Sequence, residues 1–120
     1  MIDRRWLLPA LWATFILVTT SIPGAMLPRV NAPGLDKLLH FTFYGVLGWS
    51  MFRALALRGG PLRGALFVAG AIAIFAALDE WHQQFIPGRS ADAADWVADV
   101  SGASLGLAVA AAARRPPVPS

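Results

Sequence analysis

Apolar positions in this chain fall in continuous runs rather than stripes. Four runs stand out, Trp6–Ile22, Leu38–Leu57, Leu62–Leu78 and Trp96–Ala113, each of 17 to 20 residues with polar groups gathered near the ends. About 20 apolar residues cross a hydrocarbon core of roughly 30 Å, within a working range of about 17–25. Period-2 alternation, the signature of a membrane barrel, is missing. So are the lengthwise polar stripes of helices in a soluble bundle. The pattern predicts an all-α integral membrane bundle of four transmembrane helices, about residues 6–22, 38–57, 62–84 and 95–113, in a single domain. The third run poses the functional question: it ends abruptly in Asp79-Glu80-Trp81-His82-Gln83-Gln84, followed by Pro87-Gly88-Arg89.

Composition agrees with the runs. The chain has 120 residues, 57% of them hydrophobic and 14% charged, against roughly 45–50% and about 25% in a soluble domain. It has no cysteine, which excludes disulfides and thiolate metal sites. The formal charge is +3, but the ten basic residues stand singly or in pairs and form no basic helix face. No nucleic-acid partner is expected. The first run follows two arginines, as a secretory signal does. It is long for a signal core, and "SIPGA" is a poor small-x-small cleavage site, so it is expected to be retained as a helix.

Basic residues accumulate in cytoplasmic loops. With four spans, one side carries Arg4, Arg5, Arg53, Arg58, Arg63, Arg114 and Arg115 with Asp3, and the other carries Arg29, Lys37 and Arg89 with six acids. Seven against three places both termini in the cytoplasm. Arg53 lies near the end of its run, where its stem can snorkel. Both outer loops open with Ile-Pro-Gly, at Ile22-Pro23-Gly24 and Ile86-Pro87-Gly88. Proline ends a helix and glycine permits the turn; three matching residues are little evidence of an internal repeat.

Residues three and four apart share a helix face. On the second helix Asp36, His40 and Tyr44 line one side with Lys37 beside them. On the third, Asp79, His82 and Gln83 cluster, with Glu80 next to Gln83 and Gln84. On the fourth, Asp92, Asp95 and Asp99 descend one face that continues as Gly102, Gly106 and Ala110. Small residues four apart let helices approach closely in lipid, so Gly102 and Gly106 mark a packing seam. Ordinary roles cover several of these residues. Asp36, Ser90 or Asp92 can cap a helix, Arg89 can be a loop charge, His82 can be a rim residue, and Trp6, Trp81 and Trp96 fit interfacial anchors. Capping does not explain His40 and Asp99, each about 6 Å inside its helix, or Asp79 and Glu80 closing a lipid-length run. Ionisable residues placed this way mark a candidate functional site. Because so many acids need a counter-charge, the Arg89 guanidinium is expected to hydrogen-bond Asp79, Glu80, Asp95 or Asp99, with His40 in the same cluster.

The segments "DKLLHFTFYGVLG" and "DEWHQQFIPGRSADAADWVADVSGASLG" resemble the VanZ-like membrane proteins. The matching positions are Asp36, Lys37, His40, Tyr44 and Gly48, then Asp79, Glu80, Gln83, Phe85, Pro87, Gly88 and Arg89, then Asp95, Gly102 and Gly106. Asp99 stands where that family usually has asparagine, which adds an acid. The resemblance implies a small bacterial protein of the inner (cytoplasmic) membrane and a cell-envelope context, with a link to glycopeptide (teicoplanin-type) antibiotic resistance. The candidate ligand-binding set is Asp36, Lys37, His40, Tyr44, Asp79, Glu80, Gln83, Arg89, Asp95 and Asp99.

Three functions compete. The preferred one is a non-enzymatic envelope protein whose outer site binds a lipid-linked or cell-wall ligand, with Arg89 and Lys37 suited to a phosphate. The second is an intramembrane enzyme with His40 as base or nucleophile and Glu80 as acid. The third is a small proton-coupled transporter with a carboxylate relay. It comes last because Thr14, Thr19 and Thr20 are polar but the centres of the third and fourth runs are apolar. No spacing is that of a metal-ligand motif, so neither a metal nor another cofactor is expected. The bilayer is the expected partner, and no feature fixes an oligomeric state.

Overall fold

The computed structural model describes residues 3–27, 34–55 and 60–114. They form four α-helices: α1 (Leu7–Thr20), α2 (Leu35–Ala54), α3 (Pro61–Gln83) and α4 (Ala93–Ala113). Single 3-10 turns precede α1 (Arg4–Trp6) and follow it (Gly24–Met26), and there is no strand among the described residues.

Local chemistry sets the boundaries. Asp3 accepts from the Arg5 amide at 3.0 Å and starts the first turn. Pro9 sits in the first turn of α1, where its missing N–H has no helical acceptor. Beyond Thr20, Pro23 is extended at φ −56°, ψ 142°, and the chain leaves the helix. α2 begins at Leu35, three residues before the start expected from its apolar run, because Gly34 at φ +83° turns the chain into the helix. Asp36 therefore lies inside the first turn and does not cap it. Pro61 is the first residue of α3, the position proline favours. Asp92 caps α4 by accepting from the Ala94 amide at 2.9 Å.

α2 and α4 pack most extensively, and α3 lies against α4. The seam is built on glycine. A Cβ placed on Gly102 would overlap the Phe41 carbonyl, one on Gly106 the Gly45 carbonyl, and one on Gly48 the Ala103 carbonyl. The expected Gly102–Gly106 seam is thus present, and Gly45 and Gly48 form its other side. Trp12 Nε1 donates to the Phe43 carbonyl at 2.7 Å and ties α1 to α2. Trp96 Nε1 donates to the Ala73 carbonyl at 3.0 Å, so its polar edge serves the α3–α4 contact. Ile16, Tyr44, Phe52, Val68 and Ile72 fill the centre.

α3 and α4 are long and apolar enough to cross a membrane. α1 and α2 do not reach that standard. The 14 residues of α1 span about 21 Å at about 1.5 Å per residue, and α2 carries Asp36, Lys37, His40 and Arg53. Large apolar side chains nonetheless face outward on all four helices, among them Leu11, Val18, Leu38, Leu62, Ile74 and Val109.

Candidate functional site

The antiparallel order of the helices brings the end of α1, the start of α2, the end of α3 and the start of α4 together. Most of the predicted polar residues meet there.

The outermost layer centres on Lys37. Its ammonium donates to Asp92 Oδ2 at 2.8 Å, to Asp36 Oδ2 at 3.3 Å and to Asp95 Oδ1. Three carboxylates on one ammonium leave it no free charge for a ligand. Asp92 lies outside α4, and its hydrogen bond from Lys37 holds its carboxyl below the usual aspartate value of 3.8. The ion pair is therefore fully formed above that value and is lost only as pH falls through the depressed one.

One turn deeper, His40 Nδ1 lies 2.8 Å from Asp99 Oδ1. The imidazole is 11% exposed and the Asp99 side chain 0%. His40 Nε2 faces Asp36 Oδ1 at 3.8 Å and Asp95 Oδ2 at 3.7 Å. Three carboxylates thus face the two ring nitrogens, an arrangement that favours a proton on each.

Asp79 is buried at the α1–α2–α3 junction. Thr20 Oγ1 donates to its Oδ1 at 2.7 Å and Tyr44 Oη to its Oδ2 at 3.0 Å. Glu80 accepts from Gln83 Nε2 at 3.3 Å and from the Asp92 amide at 3.1 Å, which joins the end of α3 to the cap of α4. On the same turn of α3, His82 Nδ1 is buried without a partner among the described residues.

Arg89 departs from expectation. It makes no bond to Asp79, Glu80, Asp95 or Asp99. Its Nε donates to the Ile22 carbonyl at 3.1 Å and its Nη2 to the Thr19 carbonyl at 2.9 Å. Helix ends leave carbonyls without intrahelical partners and carry partial negative charge, so the end of α1 is a competing acceptor for a cation. The loops bring the two together: the Gly24 amide donates to the Pro87 carbonyl at 2.8 Å, and Gly24 is pressed against Gly88. Gly88, at φ +75°, turns the chain so that Arg89 reaches α1. The two Ile-Pro-Gly segments thus pack on each other, which their shared sequence alone did not indicate.

Thr20 is the site residue that sequence reasoning passed over. Its only signal is its place near the outer end of an apolar run. Between α1 and α2 lies a cavity of about 240 Å³. Ile16, Leu39 and Phe43 make its apolar wall, and Asp36, His40 and Arg89 stand at its polar side.

A four-helix fold with two membrane-length helices and a buried histidine–carboxylate cluster at one end points to a small membrane protein with a polar site at its helix ends. The chain belongs to the VanZ/LLP1 family, whose model matches residues 5–114. Neither a curated protein nor a solved structure matches it.

Proposed function

We propose that the chain is a multi-pass protein of the bacterial inner membrane, with four spans and both termini cytoplasmic. Its extracytoplasmic polar site binds a lipid-linked cell-wall ligand, and through it contributes to glycopeptide resistance. The carrying observation is the α1–α2 cavity, apolar along Ile16, Leu39 and Phe43 and polar at Asp36, His40 and Arg89. An amphipathic molecule with a hydrocarbon body and a polar head fits such a site. Short α1 and polar-ended α2 reach the lipid boundary with snorkelling or local thinning, which cost fractions of a kcal/mol per Å. Lys37 and Arg89 are both engaged within the protein, so the head group meets mainly carboxylates, His40 and hydroxyls.

The test fills the cavity. Leu39→Trp is expected to reduce co-purifying lipid-linked precursor, measured by mass spectrometry, by at least about tenfold, the scale of a few blocked apolar contacts. The same strain should lose any teicoplanin protection at unchanged membrane yield. Undiminished precursor in the filled variant would sink the reading.

A second reading, an intramembrane enzyme, is favoured by the His40–Asp99 pair, which sets His40 up as a general base with Glu80 as the nearby acid. It requires Asp99→Asn to retain ligand and lose turnover. The transporter reading gains no support, because the polar groups collect at one end while Val68, Ile72 and Ala76 fill the centre of α3.

A further inference from the structure

We propose that His40, Glu80 and Asp99 bind one divalent transition-metal ion of the Zn2+ or Mn2+ class. One ligand atom from each, supplied by α2, α3 and α4, lies within 4.8 Å of the others. Glu80 is 6% exposed and Asp99 0%, and the His40 side chain is 11% exposed. Closeness alone does not make a site, but Asp99 adds an independent sign. Its Oδ1 is matched to His40, whereas its Oδ2 is fully buried and meets no donor among the described residues. A buried carboxylate oxygen without a donor is costly, and direct coordination to a cation removes that cost.

The charge pattern leads to the same place. Lys37 is committed to Asp36, Asp92 and Asp95. Asp79 has two hydroxyls for partners. Glu80 has an amide side chain and a main-chain amide. Among the described residues, no lysine or arginine therefore reaches Glu80 or Asp99. As ligands, two carboxylates and an imidazole that has given up its extra proton carry a charge that a divalent ion cancels. One nitrogen with two oxygens is a donor set for borderline-to-hard cations such as Zn2+ and Mn2+. On binding, the ion displaces the proton shared by His40 Nδ1 and Asp99 to solvent.

A second trio, Asp36, His40 and Asp95, is equally close. It is the poorer host. Lys37 already bonds both of its carboxylates and would repel an ion there, and the Asp36 side chain is 68% exposed. An ion in the inner trio would also offer a phosphate head group the positive charge that Lys37 and Arg89 do not. That consequence rests on the ligand-binding reading above, whereas the ion site itself does not.

The experiment uses the full chain in detergent, stripped with chelator and titrated at neutral pH with ZnCl2 and MnCl2 by calorimetry. One equivalent is expected to bind. Glu80→Gln and Asp99→Asn, which keep side-chain shape, should each weaken binding by at least about tenfold, and each by more than Asp36→Asn does. The Mn2+-loaded wild type should show electron–nuclear coupling to an imidazole nitrogen. No uptake by the wild type below about 100 µM ion overturns the proposal whatever the variants do. So does a wild-type spectrum without nitrogen coupling. Loss of binding in Asp36→Asn with retention in Glu80→Gln moves the ion to the outer trio and also overturns it.

Discussion

Arg89 shows how a single side chain settles between competing partners. A guanidinium offers five donors in a fixed fork, and six acids occupy the same end of the protein. It goes instead to two main-chain carbonyls, of Thr19 and Ile22. The acids have other partners: Lys37 takes Asp36, Asp92 and Asp95, and hydroxyls take Asp79. Arg89→Gln should therefore act on the loop and α1, costing about 2 kcal/mol for the loss of charged hydrogen bonds. Thermal unfolding in detergent measures this. The Lys37 and His40 contacts should persist, so a shift in the His40 imidazole resonance as large as that of Asp99→Asn would show that Arg89 does act on the acids. At this scale the sequence was only partly legible. Face patterns grouped Asp36 with His40 and Tyr44, and Asp95 with Asp99, because helix geometry is fixed. They could not choose partners for Arg89, since helix-end carbonyls leave no mark in residue identity.

For the helices, glycine is the term that matters. Gly102 and Gly106 on α4 meet the Phe41 and Gly45 carbonyls of α2 with no room for a side chain. Gly106→Leu must push the helices apart, and a loss of about 3 kcal/mol or more is expected, at the upper end for overpacking. Leu105 is 53% exposed, so Leu105→Ala should cost less than about 0.5 kcal/mol. The folded fraction extracted from membranes reports both; equal losses would show that the close approach is not what holds the pair. The four helices and this seam were legible because run length and small-x-x-x-small spacing are carried by local sequence. The start of α2 was not, because Gly34 sets it by backbone conformation and the polar first turn lies outside the apolar run. His40, Glu80 and Asp99 were each legible as candidate site residues, but not as a trio able to share one ion. His40 and Asp99 are 59 residues apart, and no short ligand spacing in the sequence connects them.

Across the whole molecule the two ends differ in character. Carboxylates and His40 gather at the end formed by the α1–α2 and α3–α4 turns. At the other end Arg114 donates to the Arg53 and Leu55 carbonyls. Basic residues are retained on the cytoplasmic side, so a periplasm-active reporter should function when fused after Arg29 or Arg89 and stay silent after Gly60 or Ser120. Activity at Gly60 would overturn the four-span, both-ends-inside arrangement. The acidic end is also where the two hairpins are fastened, by the Gly24–Pro87 bond and by Arg89 on α1. That fastening imposes an order in time. Synthesis delivers the Thr19 and Ile22 carbonyls 70 and 67 residues before their donor. Until Arg89 has been translated, the Thr19 and Ile22 carbonyls must take other partners, such as water. The first hairpin is therefore left half-finished by synthesis, and the arrival of the second completes both.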